Sequence, residues 1–225
     1  MTETPEIRER PILFSAPMVR AILDGRKTQT RRIVKGAPVE MVRLMHKVAA
    51  LDGYDEPTGE FGFCATHSRV VNKHVVCPHG FTGDRLWVRE TWQTHCDMDH
   101  VTPRDLPRDA AVQYPASYDG WVSKRRPAIH MPRWASRISL RITDVRVERL
   151  NDISEIDALA EGFIRLPASG RVVTQKGGQY FGDCWPTARA AFRDLWQSIH
   201  GAGSWDANPW VWALTFERVH PESCS

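Results

Sequence analysis

A cluster of hydroxyl, amine and guanidinium side chains lies near the start of the chain, in GRKTQTRR at residues 25–32. It places one lysine beside two threonines, Lys27 with Thr28 and Thr30. A lysine next to a hydroxyl residue is one known way to generate a nucleophile, because a neutral amine can accept the hydroxyl proton. The cluster therefore indicates nucleophilic chemistry at a hydroxyl. The alternative is a solvated strand edge, which cationic side chains commonly protect from pairing with another chain.

The residues before the cluster predict a short strand and a helix that position it. Residues 12–14 are apolar, Ser15 can cap a helix, and apolar side chains then recur at helical spacing up to Leu23. Gly25 ends that helix. A helix C-terminus carries negative partial charge, so the cations that follow it are favourably placed.

A second short helix is predicted to begin at Ser154, which forms a capping box with Asp157. Gly162 ends it and leaves Glu161 at the helix C-terminus. A carboxylate at that end is disfavoured by about 0.3–1 kcal/mol unless a cation lies nearby. We expect such a cation, the alternative being a solvated glutamate.

Length, charge and cysteine content limit the class of protein. With 225 residues and a net charge of +3, the chain fits one domain that tolerates an anionic partner without requiring one. It has no run of about 18 apolar residues and no apolar leader, so we expect a cytoplasmic protein without membrane contact. Five cysteines, an odd number, favour reduced thiols over a disulfide framework.

Two further clusters leave alternatives open. Five potential zinc ligands occur at irregular spacing and can equally belong to a simple hairpin, so we expect no metal; they are Cys64, His67, His74, Cys77 and His79. A cationic segment, residues 124–141, has no acidic residue and lies among tryptophans, as in a surface that binds bases and phosphates. A solvated loop and strand face explain this cationic segment equally well. Its cations are Lys124, Arg125, Arg126, Arg133, Arg137 and Arg141, around Trp121 and Trp134.

The remaining pattern predicts an α+β fold with three or four short helices and long loop insertions. Apolar residues alternate through residues 138–147 but change phase near Thr143 and Asp144, which predicts a bulge that bends the sheet towards a barrel. A long helix is predicted from Pro186, with an apolar face that belongs to the core, and a closing strand from Trp210.

The chain resembles the ASCH domain family, small mixed β-barrels similar to the RNA-binding PUA domains. The resemblance covers about half of the chain and rests on GRKTQTRR, TGDRLWV, ITDVRVERL with DALAEG, and WVWALTFERV. The longer form, with PILFSAPMVRAILDGRKTQTRR and SWDANPWVW, is similar to a bacterial and phage-encoded branch. It implies a single PUA-like domain over residues 1–225, with insertions at about 36–80, 97–133 and 165–185.

The resemblance also implies an activity, hydrolysis of N4-acetylcytidine by a Lys, Thr and Glu triad without a metal or other cofactor. The family motif falls on Lys27 and Thr30, and its glutamate falls on Glu161, with Glu90 and Glu155 as alternatives. Lys27 and Thr30 would point to opposite faces of a regular strand, so Lys27 must precede the strand. We expect burial and neighbouring arginines to lower the pKa of Lys27.

Substrate contacts are expected from four further residues. Arg32 or backbone N–H groups can stabilise the oxyanion, Trp87 or Trp210 can stack on the base, and Glu90 can contact the substrate. We expect a monomer that acts on a small modified nucleoside. The alternatives are an RNA-binding module or ribonuclease, with RNA as the partner, and a phage accessory protein with a structural role.

Overall fold

The structure, a computed structural model, describes residues 7–36, 43–45, 60–64, 71–118, 120, 122–174 and 184–219. These residues form a five-stranded sheet, three smaller sheets and three α-helices, which confirms the α+β class. The five-stranded sheet consists of β1 (Glu9–Leu13), β2 (Gln29–Ile33), β6 (Arg85–Arg89), β9 (Ser139–Arg149) and β12 (Trp210–Val219). The small sheets contain β3 (Arg43–Met45), β4 (Glu60–Cys64) and β5 (Val71–Val76), then β7 (Gln93–Thr94) with β8 (Val112–Gln113), and β10 (Ile164–Arg165) with β11 (Val172–Val173).

The large sheet has the order β1-β6-β9-β12-β2, so its two edge strands come from the first part of the chain. β1 runs parallel to β6, and the other neighbours are antiparallel. The register between β12 and β9 shifts where Thr215 pairs with Asp144 and Phe216 pairs with Ile142, leaving Thr143 unmatched. The bulge predicted from the change of apolar phase is therefore confirmed.

The two edges of this sheet are joined by one side-chain contact. Arg32 on β2 donates from Nη2 to the backbone oxygen of Leu13 on β1 at 2.8 Å. No strand pairing joins β1 to β2 in the described part of the chain, so the expected closed barrel is not found there. The sheet is open, and a cavity occupies part of the gap between its edges.

Two of the three helices begin at a side-chain cap. α1 (Ala16–Leu23) follows Ser15 as predicted, but the Ser15 side chain makes no capping hydrogen bond, and Gly25, at φ +71°, turns the chain after the helix. α2 (Glu155–Ala160) is capped by the Ser154 hydroxyl, as predicted. α3 (Ala188–His200) begins two residues after the predicted Pro186, because the Thr187 hydroxyl accepts the N–H of Ala190.

Three apolar clusters hold these elements. The main one lies between α1 and the five-stranded sheet and includes Ile22, Leu86, Leu140 and Trp212, while a second joins α2 to α3. A third, small cluster around Trp92 and Met131 packs the segment between β6 and β9. That segment is therefore folded around its own core, although its composition predicts a long loop.

The segments expected to be insertions contain β3, β4, β5, β8 and β11, whereas β7 lies before the second segment and β10 lies at the boundary of the third. β4 and β5 pair antiparallel. This is the hairpin that the sequence offered, as an alternative to a zinc site, for the residues around the potential zinc ligands. No helix among the described residues has the length and apolar character needed to cross a membrane.

Candidate active site

The backbone brings Lys27 next to Glu161, although 134 positions separate them in sequence. The two residues form an isolated antiparallel bridge, and the N–H of Thr28 donates to the backbone oxygen of Ala160 at 2.9 Å. Lys27 lies in the turn between α1 and β2, before the strand begins at Gln29. Lys27 thus meets the requirement that it precede the strand.

A buried ion pair is the centre of the site. Lys27 Nζ donates to Glu161 Oε2 at 2.6 Å, to the backbone oxygen of Glu161 at 3.0 Å and to that of Gln29 at 2.8 Å. The two side chains are 0% and 4% exposed. Three acceptors use all three ammonium donors. Lys27 is also the cation that compensates Glu161 at the C-terminus of α2.

Arg31 holds the other oxygen of the same carboxylate. Its Nη1 lies 3.2 Å from Glu161 Oε1, while its Nε and Nη2 donate to Glu148 Oε1 at 2.9 and 2.7 Å. Arg31 pairs with Ala213 on β12, and its guanidinium reaches across β12 to Glu148 on β9. Glu161 is therefore fixed between two cations that approach from different directions.

Burial lowers the pKa of Lys27, and the positive charges of Arg32 and Arg31 add to this effect. The carboxylate of Glu161 opposes it by stabilising the ammonium. The net lowering is the direction expected for a buried amine and agrees with the expectation from the sequence. A lowered pKa increases the fraction of Lys27 in the neutral amine form, which is the form that can accept a proton.

Gly162 permits the close approach of the two chain segments. It has φ +113°, and a Cβ there would lie 2.9 Å from Ala21 Cβ and 3.2 Å from Lys27 Cβ. Any side chain would therefore strain the backbone and push α1 and Lys27 away from the end of α2. The glycine that ends α2 also sets the distance between the two charged partners.

A cavity of about 680 Å³, cavity 1, opens beside this pair. Thr30, Arg31, Arg32 and Glu161 reach its wall, whereas Lys27 lies behind the lining, with Nζ 5.6 Å from the centre of the Phe14 ring. Most of the rest of the wall is apolar and comes from residues 11–18 and from α3. Those residues include Leu13, Phe14, Met18, Phe192, Leu195, Trp196 and Ile199.

Of the four residues expected to contact substrate, only Arg32 lines cavity 1. Trp87 lies under the guanidinium of Arg89, with 4.6 Å between that group and the ring centre. Trp210 similarly packs against Arg149, and Glu90 is buried against Arg137. The structure does not bring Trp87, Glu90 or Trp210 to the site formed by Thr30 and Glu161.

The alternative glutamates have other partners. Glu155 accepts the backbone N–H groups of Ala188 and Arg189 at the start of α3, at 2.8 and 3.1 Å. Glu90 receives two hydrogen bonds from Arg137, at 2.9 and 3.0 Å. Of the three candidate glutamates, only Glu161 contacts Lys27.

The cationic segment has intramolecular partners for most of its charge. Arg133 pairs with Glu9, Arg137 with Glu90 and Arg141 with Glu217. Arg126 is 4% exposed and donates to the backbone oxygens of Met98 and Val101 at 2.6 and 2.9 Å. These four arginines therefore form intramolecular contacts that hold parts of the fold together. Trp121 lies outside the described residues.

The potential zinc ligands are only partly described. His67 and the side chains of Cys64 and His74 lie outside the described residues, whereas Cys77 is buried and its pKa is raised to about 11 by burial. Elsewhere, His95 Nδ1 lies 3.0 Å from Asp97 Oδ2, and with Cys96 these exposed residues form a group that could hold a metal ion. Of the five potential zinc ligands, His79 lies at the wall of cavity 1 together with Thr30 and Glu161.

Sequence reasoning missed two parts of the site. Arg31 was indistinguishable from its cationic neighbours, because its contacts depend on β9 and β2 flanking β12. Phe192 and Trp196 were assigned to the core from their helical spacing, and both are buried, yet both also line cavity 1. A periodic apolar face indicates that a side chain is covered, but not whether protein or a ligand site covers it.

Comparisons of the chain with protein-family models, curated proteins and solved structures find no match. The resemblance to ASCH domains therefore depends on the sequence motifs quoted above. A functional conclusion depends on those motifs together with the geometry of the Lys27, Thr30 and Glu161 cluster.

Proposed function

We propose that this protein is an amidohydrolase that cleaves the exocyclic amide of N4-acylated cytosine nucleosides, releasing cytidine and a carboxylate. The observation that carries the proposal is the buried Lys27–Glu161 pair beside a cavity that Thr30 and Glu161 both line. A hydroxyl and a carboxylate on one cavity wall, with an amine of lowered pKa bonded to that carboxylate, are the groups that such a reaction needs.

We also infer a PUA-like fold of the ASCH type. The order of the family-like motifs along the chain supports this inference, as does a sheet whose two edges approach through Arg32 and Leu13. In this interpretation the barrel is left open between β1 and β2, and the opening admits the substrate.

The first chemical step begins with the short Lys27–Glu161 contact. Transfer of a proton from the ammonium to the carboxylate converts the pair into a neutral amine and a carboxylic acid, and the lowered pKa of Lys27 assists loss of the ammonium proton. The amine accepts the proton of Thr30 as Oγ1 bonds to the acyl carbon. Glu161 then donates its proton to the exocyclic nitrogen as the C–N bond breaks, and cytidine leaves.

Water completes the cycle by attacking the acyl group on Thr30. Glu161 accepts a proton from that water, and Lys27 returns a proton to the Thr30 oxygen as the carboxylic acid leaves. The pair is again a neutral amine and a carboxylic acid. Backbone N–H groups or Arg32 stabilise the oxyanion of both tetrahedral intermediates.

The apolar wall of cavity 1 supports a planar, weakly polar substrate. Phe14, Phe192 and Trp196 provide aromatic surface for the base and the acyl group. This assignment replaces Trp87 and Trp210, which lie away from the cavity, as candidate stacking residues.

The nucleic-acid alternative has weaker support. Four arginines of the cationic segment, residues 124–141, already bind carboxylates or backbone oxygens of the same chain, and breaking those contacts would oppose phosphate binding. Steep salt dependence of oligonucleotide binding would nevertheless restore that alternative.

The test is hydrolysis of N4-acetylcytidine and a bulkier N4-acylcytidine, followed by ultraviolet absorbance. We expect cytidine release by the wild type and a loss of about 10²–10⁴-fold in Lys27→Ala and Thr30→Val. Thr28→Val is the matched control, since Thr28 is exposed and should tolerate the change. Intact substrate with the wild type, or full activity of Thr30→Val, would refute the proposal.

A further inference from the structure

A second cavity of about 660 Å³, cavity 2, adjoins the first at the outer end of β2. Three residues, Arg32, His79 and His200, line both cavities. We call these three residues the neck. Every side chain of the neck is a guanidinium or an imidazole, so the connection between the two cavities offers N–H donors and the positive charge of Arg32.

Arg32 brings to the neck a guanidinium that forms no ion pair with the described residues, although the charge of Glu161 acts on it through space. Its two hydrogen bonds go to the backbone oxygens of Leu13 and Arg31, at 2.8 and 3.3 Å, and within the described residues it pairs with no carboxylate. Its guanidinium carbon lies 5.3 Å from the centre of the Phe14 ring, which restricts its position. The adjacent Arg31 differs completely, since it contacts both Glu148 and Glu161.

Burial lowers the pKa of both histidines of the neck, and the positive charge of Arg32 contributes to this lowering. Burial lowers the pKa of His79 to about 4, and the charges of Arg32 and Arg10 contribute. Burial and Arg32 also lower the pKa of His200, whose ring packs 4.2 Å from that of Trp196. Both imidazoles are therefore neutral near pH 7, and each can donate one N–H group to an anion.

The surroundings of the neck add positive charge and no negative charge on the side of cavity 2. Lys35 is exposed and lines cavity 2, and none of the described residues lining that cavity is acidic. Glu161, the acidic residue lining cavity 1, is held by Lys27 and Arg31. An anion at the neck would thus meet Arg32 without facing an unneutralised carboxylate.

We propose that the neck binds the phosphate monoester of a nucleotide, so that the substrate is an N4-acylcytidine monophosphate. This inference rests on the proposed function, and it places the base and acyl group in cavity 1 and the phosphate beside Arg32, His79 and His200. A guanidinium matches phosphate with paired N–H groups, and Lys35 adds a point charge at the entrance. Backbone N–H groups, rather than Arg32, then stabilise the oxyanion.

The kinetic test compares kcat/KM for N4-acetylcytidine, its 5′-monophosphate and an oligoribonucleotide with an internal N4-acetylcytidine. We expect the monophosphate to be favoured about tenfold over the nucleoside. Arg32→Gln should bring that ratio close to one, and Lys35→Ala should reduce it about threefold. Arg108→Ala, which removes an exposed charge elsewhere, should keep the wild-type ratio.

Lys35→Ala keeps the test usable if Arg32→Gln does not fold, because Lys35 is exposed. A monophosphate ratio near one in the wild type would overturn the inference, as would a preference for the oligoribonucleotide. An unchanged ratio in both Arg32→Gln and Lys35→Ala would also overturn it.

A binding experiment separates this inference from the proposed function. By calorimetry, we expect cytidine 5′-monophosphate to bind the wild type more tightly than cytidine does, with the difference reduced in Lys35→Ala. If this holds while no acylcytidine is hydrolysed, the amidohydrolase proposal fails and the phosphate site stands. If acylcytidines are hydrolysed and the two ligands bind equally, the phosphate site alone fails.

Discussion

The two cationic regions of this chain differ in how the folded structure pairs their charges. In residues 26–32, Lys27 and Arg31 fix a buried carboxylate beside a cavity, and Arg32 pairs with no carboxylate in the described part of the chain. In the cationic segment, residues 124–141, four arginines are bound by Glu9, Glu90, Glu217 and backbone oxygens. Both regions look equally basic in sequence. Their difference teaches that a basic run indicates a binding surface only where the fold leaves its charge unmatched.

The largest expected effect comes from Glu161→Gln, which removes the charge that Lys27 and Arg31 share. The change leaves the buried ammonium of Lys27 facing a neutral amide, whereas Arg31 keeps Glu148, and it should lower the free energy of unfolding by about 3–5 kcal/mol, with loss of hydrolysis. Urea denaturation and the cytidine assay measure the two effects. Glu217→Gln, which changes an exposed glutamate, is the control. A loss below about 1 kcal/mol would indicate that the pair is already uncharged.

Arg137→Ala tests whether the cationic segment is structural. Glu90 is 1% exposed, and the substitution leaves its carboxylate buried without a cation. We expect a loss of about 2–3 kcal/mol in unfolding free energy, less than for a fully buried pair because Arg137 is 26% exposed. Hydrolysis by the folded variant should stay within about twofold of the wild type. Abolished hydrolysis with unchanged stability would instead make Glu90 or Arg137 part of the site.

Acid titration should distinguish the neck from the cationic segment. His79 has its pKa lowered to about 4 from 6.5, so the unfolded chain binds a proton there more readily than the folded chain does. Stability is therefore retained above pH 6.5 and falls as the pH decreases towards 4, by on the order of 1–2 kcal/mol. His79→Asn should flatten this part of the stability profile measured by thermal denaturation. An identical slope in the variant would assign it to other groups.

The smallest effect is expected for Arg141→Ala. Arg141 and Glu217 are 57% and 51% exposed, and such surface pairs contribute about 0–1 kcal/mol. Oligonucleotide binding, measured by fluorescence anisotropy at low and moderate salt, should not change. A clear loss of affinity for the oligonucleotide would indicate that the cationic segment binds nucleic acid. It would also weaken the contrast with residues 26–32.

The sequence predicted the features that depend on neighbouring residues. The Ser154 cap and the bulge opposite Thr215 were predicted correctly, because each depends on local chemistry or on the two-residue period of a strand. The placement of Glu161 at a helix end and the need for a cation beside it also followed from local patterns. The identity of that cation did not follow from local patterns, because Lys27 and Glu161 lie 134 positions apart in the sequence.

The features that could not be predicted depend on how distant elements meet. Arg31 reaches Glu148 because β12 brings β2 and β9 to either side of Ala213. Trp210 was a candidate for stacking on the base, but its strand turns it towards Arg149. Neither the strand order nor the side on which a cavity forms is encoded in the spacing of apolar residues. The catalytic roles and the substrate remain predictions.

The position of β12 between β9 and β2 has a consequence for synthesis. β2, which carries Thr30, pairs in the large sheet only with β12, although the ribosome makes these strands almost 180 residues apart. Long-range pairing of this kind forms late, because a large loop must close first. Until Trp210–Val219 emerges, the nascent chain lacks the strand that holds Thr30 in the sheet. The site is thus completed only after β12 has been made.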